Sequence, residues 1–362
     1  MSTSRRLQLV LIVGATWLAS AGVAECGYRL LGVHVAATMG GFYEPFGQRN
    51  YRHRPLANTF MNWYSGSFSV HTDSLGFRVG ANPEAVRSTP NPDVLVVGDS
   101  QAFGQGVEFE DSVFGSLTRE AQMLGITVAN AAVAGHFLRD QVELVRSLVA
   151  ERGLRPQLLI VCVTPRSLAN FAAESHVFVR DDGALFDQPP NLLQLDRKWL
   201  STHSSVYLVL RNAIRGHDTG ESAAELLGLY QGVRRPERIN GLSNNLADLK
   251  QVTESFGARL VMVYLPLAAD FRVDDLARRL ARPADQVSAR EPYLVADAVA
   301  RAHGIPLLDL TPPLRAALER GESLSLRGDP HYNQAVSRSC ARYLVTALDW
   351  RALANRKLAH EN

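Results

Sequence analysis

Two short stretches far apart in the chain hold residues that could act together as a nucleophile, a base and the group that orients it. Gly98-Asp99-Ser100 stands directly after the apolar run Asp93–Val97, and the loop beyond it carries Gly104 and Gly106. A serine placed where a buried strand gives way to a loop is presented at a functional edge, and nearby glycines let backbone come close to a ligand. Its hydroxyl is a weak nucleophile until a base takes the proton, and that base is usually an imidazole held by a carboxylate. Ten histidines make a His somewhere uninformative, but Asp329-Pro330-His331-Tyr332-Asn333 sets an Asp two residues before a His in a polar loop. One loop can then supply base and orienter, provided it folds back over the end of the first strand. The Ser100 stretch is not G-x-S-x-G, which argues against an ordinary nucleophile elbow, and it lacks the Lys and Ser/Thr of a phosphate-binding Walker loop.

From Pro92 onward, short apolar runs alternate with amphipathic stretches, the pattern of strands and helices around a parallel sheet. Strands are expected at 93–97, 127–130, 158–163, 259–265 and 306–310, with helices near 112–124, 138–151, 242–256, 293–303, 313–320 and 334–348. Five such strands predict a three-layer α/β/α sandwich on a five-stranded, parallel, flavodoxin-like sheet, with ligands bound outside the carboxyl ends of the strands. Chemistry is therefore expected just after Val97, Asn130, Val163 and Leu265. Two segments break the rhythm. Residues 43–80 read as short strands and turns outside the main core. Residues 170–240 form a connection far longer than the usual 4 to 6 residues, with a hairpin at 177–186 and a helix at 206–214, and read as a structural elaboration or a substrate-covering lid.

Composition narrows the classes. With 46% hydrophobic residues, 20% charged and a net charge of +2, the chain can bury a sizeable core and is not disordered. All but three of its 38 basic residues are Arg, scattered without a stripe, so nucleic acid is not an expected partner. Cys26, Cys162 and Cys340 form no C-x-x-C pair or disulfide framework, and His176, His203 and His217 have no ligand spacing, so neither metal nor cofactor is expected. His136 reads as a loop histidine facing solvent or substrate, and Asp99 as a partner of local backbone amides.

Arg5-Arg6 followed by Leu7–Ala24 has the charged-then-apolar order of a secretory signal or signal anchor. Ala19-Ser20-Ala21 suits cleavage, whereas the length of the run suits retention as a single span of the bacterial inner membrane, with everything after Tyr28 outside. The organisation expected is a signal anchor at 1–28, an extracytoplasmic linker and β-rich extension at 29–91, a catalytic domain at 92–350 with its insertion at about 170–240, and a tail at 351–362.

Four stretches together resemble the SGNH or GDSL hydrolase family, in its bacterial, membrane-anchored members. They are Gly98-Asp99-Ser100 extended through Phe103-Gly104, Gly106-Val107 and Glu110-Asp111; Asn130 to Gly135; Asp329 to Asn333, in the D-x-H form; and the upstream Val70 to Arg78. The resemblance implies Ser100 as nucleophile, His331 as base and then acid, and Asp329 as its orienter, with an oxyanion hole from the amides of Ser100 and Gly135. One block departs from the pattern. Where the family has an Asn after the third strand, this chain reads Val163-Thr164-Pro165-Arg166, which leaves Asn170, Arg166 or no third donor. The implied activity is an esterase that acts through an acyl-enzyme. The alternative is an O-acetyltransferase that passes the acyl group to a cell-surface or exported polysaccharide beside a membrane-bound acyl-donor protein. A catalytically degenerate carbohydrate-binding protein is the third reading. Substrate is accordingly an ester or an acylated carbohydrate.

Overall fold

The computed structural model describes residues 3–30, 42–46, 50–63, 66–81, 91–169, 178–179, 185–186, 204, 206–207, 223–326 and 329–361. Its strands, in chain order, are β1 Tyr43–Phe46, β2 Asn50–His53, β3 Asn58–Trp63, β4 Gly66–Thr72, β5 Arg78–Val79, β6 Val94–Val97, β7 Val128–Asn130, β8 Leu158–Val163, β9 Phe178–Val179, β10 Leu185–Phe186, β11 Arg259–Tyr264 and β12 Leu307–Asp309.

β6 and β8 are continuously apolar because both faces are covered: every residue of each is buried. Each fully buried Val or Leu side chain contributes about 1.5–3 kcal/mol through removal of apolar surface from water, as an upper bound. The parallel strands lie in the order β7-β6-β8-β11-β12, the flavodoxin-like order expected, since in chain order this is 2-1-3-4-5. Helices Val113–Gln122, Thr311–Glu319 and Gln334–Ala347 pack together as one outer layer, and Leu138–Arg152, Pro236–Glu254 and Glu291–Ala302 as the other.

The sheet is larger than five strands, and this corrects the reading of residues 43–80. β5 pairs antiparallel with β7 through Arg78 and Asn130, and β4 and β3 extend the sheet outward to eight strands. Phe42, Tyr43, Tyr51, Met61, Phe68, Val70 and Phe77 are buried in the same apolar cluster as β6 and β8. This part of the presumed linker is therefore built into the core. Its signal is weak because β4 alternates, with Phe68, Val70 and Thr72 buried and Ser69 and His71 half-buried between them.

Other boundaries also move. The presumed tail is a helix, Trp350–Glu361, whose Trp350 and Leu353 are buried against the core. In the insertion, β9 and β10 pair antiparallel as a hairpin would, while its turn and most of the helix expected at 206–214 lie outside the described residues. Helix Ala223–Tyr230 joins the segment after β11 in a second apolar cluster that includes Leu226, Leu229, Leu267, Leu276 and Leu280.

At the N-terminus, Thr3–Leu30 is one helix with Leu11, Ile12, Val13, Trp17, Leu18 and Val23 exposed. Among the described residues no helix is long and apolar enough to cross a membrane. The side chains of this one are described without a break only from Leu11 to Gly27, so the span expected at Leu7–Ala24 rests on the sequence alone.

Candidate active site

Ser100 opens a single helical turn, Ser100–Phe103, at the carboxyl end of β6. Asp99 caps that turn by accepting from the Gln101 amide at 3.0 Å, and Gly104 closes it in the left-handed region at φ +81°, where a Cβ would run into Ser112. The turn is further held by Arg78, which reaches in from β5. Its guanidinium donates from Nη1 to the carbonyls of Phe103 (2.5 Å) and Gly104 (2.6 Å) and from Nη2 to that of Val107 (2.6 Å), with its plane centre 4.4 Å from the Phe103 ring. Arg78 is fully buried; burial lowers its proton affinity, and the charges of Glu108 and Glu110 oppose that shift.

The loop carrying Asp329 and His331 folds back over the same strand end. His331 Nε2 lies 2.8 Å from Ser100 Oγ, and its Nδ1 lies 2.6 Å from Asp329 Oδ1. The same carboxylate oxygen accepts from the His331 backbone amide at 2.7 Å. A carboxylate can only accept, so the ring proton stays on Nδ1 and Nε2 is left to take the proton of Ser100. The loop is bounded by a Ser325–Tyr332 bridge and by Asn333, whose side chain caps helix Gln334–Ala347 through the Val336 amide at 3.1 Å.

The third loop follows β7. Asn130 donates from Nδ2 to the Ala102 carbonyl at 3.0 Å and accepts from the Ala132 amide, while the Val133 amide donates to the Gly98 carbonyl at 3.0 Å. These bonds dock the loop onto the Ser100 turn. Gly135 sits at its tip with φ +88°, and a Cβ there would lie 2.4 Å from Tyr51 Oη. Tyr51 donates to the Ala134 carbonyl at 3.0 Å. Among the described residues, the backbone amides of Ser100 and Gly135 have no hydrogen-bond acceptor, which is the condition an oxyanion donor needs.

The departure after the third strand has a structural counterpart. Thr164 directly follows β8 and donates from Oγ1 to Asp99 Oδ2 at 2.6 Å. Thr164 and Ser167 also bond each other reciprocally, the Ser167 amide to Thr164 Oγ1 and the Thr164 amide to Ser167 Oγ, which starts helix Pro165–Ala169. Burial raises the Asp99 carboxyl; the Thr164 hydroxyl, the Gln101 amide and the charges of His331 and Arg166 pull it back. Arg166 is exposed on that helix and acts on Asp99 through its charge; Asn170 lies outside the described residues.

His136 corrects its expectation. It is buried, donates from Nε2 to the Tyr51 carbonyl at 2.7 Å, and burial lowers its proton affinity; it does not face solvent. His176, His203 and His217 lie outside the described residues, and no cluster of metal-ligating side chains occurs among those described. Sequence reasoning missed Gln101, Thr164, Tyr51 and the function of Arg78 within its block. Arg78 and Thr164 each had a signal, because each stands in a stretch already singled out.

Residues 230–360 match the family model described as an SGNH hydrolase-like domain, acetyltransferase AlgX, so the match covers Asp329 and His331 but not Ser100. Solved structures similar to this chain include a member of the lipolytic G-D-S-L family from Veillonella parvula, at 12% identity over 70% of this chain and 97% of that one, with a TM-score of 0.40. Another is a catalytic mutant of an acetylxylan esterase from Geobacillus stearothermophilus, at 14% identity over 72% and 95%, with a TM-score of 0.40. A lipase/acylhydrolase from Enterococcus faecalis is similar at 18% identity over 73% and 96%, with a TM-score of 0.36. Among curated proteins there is no match.

Proposed function

We propose that this chain is a serine esterase of the SGNH hydrolase type whose nucleophile is Ser100, acting on an ester in the cell envelope. One observation carries the reading: the unbroken chain of hydrogen bonds from Ser100 Oγ to His331 Nε2 and from His331 Nδ1 to Asp329 Oδ1. In the first half of the reaction Ser100 Oγ attacks the ester carbonyl and its proton passes to Nε2. The charge that develops on the carbonyl oxygen is met by the amides of Ser100 and Gly135. Collapse breaks the bond to the alcohol, which leaves with the proton from Nε2, and the acyl group remains on Ser100. In the second half, water gives its proton to Nε2 and attacks the acyl carbon, releasing the acid and restoring Ser100. Asp329 keeps Nδ1 protonated throughout and stabilises the imidazolium that forms in each half. Each oxyanion donor is worth about 10²- to 10³-fold in rate.

The match to an acetyltransferase model favours a second reading, in which a carbohydrate hydroxyl takes the place of water. Acyl-enzyme formation is common to both, so the acceptor alone separates them. For either reading we place the domain outside the cytoplasmic membrane, held by Leu7–Ala24 behind Arg5 and Arg6.

The test uses the full-length protein in detergent beside Ser100→Ala and His331→Ala. It measures labelling by a fluorophosphonate and acetate release from an aryl ester, with and without an oligosaccharide acceptor. Labelling and turnover that both variants lose support the esterase. Acceptor-dependent product with slow hydrolysis supports the transferase. A wild type that neither labels nor turns over overturns both. Cleavage of the domain by protease added to cells after outer-membrane permeabilisation is expected and supports the placement; protection of the domain overturns it.

A further inference from the structure

In this chain the residue after the nucleophile is Gln101, on the same helical turn as Ser100. Its side chain is buried and does not point at a reacting atom. Instead it crosses to the histidine loop and bonds the main chain on both sides of His331: Nε2 donates to the Pro330 carbonyl at 3.0 Å, and Oε1 accepts from the Tyr332 amide at 3.2 Å. The two bonds fix the orientation of the amide, because turning it over would set oxygen against carbonyl and N–H against N–H.

Asp329 lies two residues from His331 on the same loop and orients the ring within that loop. Gln101 refers both partners to one helical turn: Ser100 is its covalent neighbour, and residues 330 and 332 are its hydrogen-bonded ones. The Tyr332 hydroxyl adds a more distant anchor by donating to the Pro266 carbonyl at 2.5 Å, beyond the end of β11.

We infer that Gln101 is the positioning residue that sets the separation of Ser100 Oγ and His331 Nε2, by clamping the backbone of the histidine loop to the nucleophile's own turn. The inference rests on the reading of Ser100 and His331 as nucleophile and base only for its effect on rate; the clamp itself is a statement about geometry. A displacement of about 1 Å at a catalytic group is enough to cost about a hundredfold in rate.

Two signals test it on the full-length protein. Gln101→Met keeps the side chain's length and removes both bonds. It is expected to lower kcat on an aryl ester, and the rate of fluorophosphonate labelling, by about tenfold to a hundredfold, with KM within about twofold of wild type. Separately, ¹⁵N spectra of the histidine rings report the two nitrogens of His331. In Gln101→Met the Nε2 resonance is expected to move to its position in Ser100→Ala, while the Nδ1–H held by Asp329 stays where it is. A residue that merely fills space would change neither the Nε2 position nor kcat selectively. Should Gln101→Met fail to fold, Gln101→Glu keeps the acceptor for Tyr332 but not the donor to Pro330, and is expected to shift the same two signals in the same direction. A wild-type Nε2 resonance with wild-type kcat in a folded variant overturns the inference. If the wild type itself shows no turnover, the esterase reading fails, and the ring spectra still decide the clamp.

Discussion

Gly135→Ala is the substitution whose consequences the structure specifies most closely. Two costs arise from different sources. The residue sits at φ +88°, where an L side chain is strained by about 1–2 kcal/mol. Independently, the new Cβ would stand 2.4 Å from Tyr51 Oη, about 1 Å inside the 3.4 Å of ordinary contact. Tyr51 cannot swing away, because it is fully buried with its ring edge-on to Tyr43 and to His136, at 5.3 and 4.9 Å between centroids. Overpacking of this kind costs about 1–3 kcal/mol, so the single variant should lose about 2–5 kcal/mol. Tyr51→Phe removes the obstructing oxygen and one hydrogen bond to the Ala134 carbonyl, at about 1–1.5 kcal/mol. In the double variant the clash is gone but the backbone strain is not. Its loss should therefore fall short of the sum of the two singles by the overpacking cost, a coupling of about 1–3 kcal/mol. Urea unfolding of all four proteins measures this. Additivity within about 0.5 kcal/mol would refute the steric account of why a glycine is required at position 135. Aryl-ester turnover supplies a second readout: Gly135→Ala should lose about 10²- to 10³-fold as its amide leaves the oxyanion position, and Tyr51→Phe added to it should recover part of that loss.

Three further outcomes are expected. Arg78→Met should destabilise the protein by about 3–5 kcal/mol in urea unfolding, because the carbonyls of Phe103, Gly104 and Val107 lose a buried donor and Glu108 and Glu110 lose a nearby positive charge; Arg78→Lys should recover little, since a point charge cannot span three carbonyls. Thr164→Val should lower turnover by about tenfold to a hundredfold with little change in fold, as measured by kcat and circular dichroism, because the Asp99 carboxylate beside the nucleophile loses its 2.6 Å hydroxyl donor, worth about 1.5–3 kcal/mol. Asp270 is buried and accepts from the hydroxyls of Tyr230 and Tyr264 and the Leu267 amide, and burial raises its carboxyl from 3.8 to about 7. Its folded form thus holds a proton that the unfolded chain releases. Stability from this group is present below the unfolded value and declines as pH rises from about 4 to about 7, by at most about 1.4 kcal/mol per pH unit. Thermal unfolding against pH should show that slope in the wild type and its absence in Asp270→Asn.

How far these features can be read from residues depends on where their partners stand. β6 and β8 announce themselves because a strand covered on both faces is apolar at every position, as Val94–Val97 and Leu158–Val163 are. β3 to β5 do not, because an alternating strand at a sheet margin resembles a loop rich in Ser, Thr and His. Ser100, Asp329 and His331 are legible as a chemical set, since few arrangements use a serine at a strand end and an Asp-x-His loop. Gln101 is not, because its two partners lie 229 and 231 residues away and bond through backbone, which carries no residue type. Thr164 stands out in the sequence only as the loss of an Asn. Its bond to Asp99 depends on how tightly β8 and β6 approach, which residue spacing does not give.

The helix at the N-terminus meets the rest of the chain through Glu25. Its carboxylate accepts from the Ser204 hydroxyl at 3.1 Å and the Val206 amide at 3.2 Å, where the insertion begins a helical turn. Residues 31–42 are the length of chain between that helix and the first strand of the body, a reach of at most about 43 Å even fully extended. The body that carries Ser100 therefore stays within that reach of the helix end. With the helix in a bilayer, the site would work on what comes to the membrane surface, and an acyl donor or acceptor would have to be delivered there.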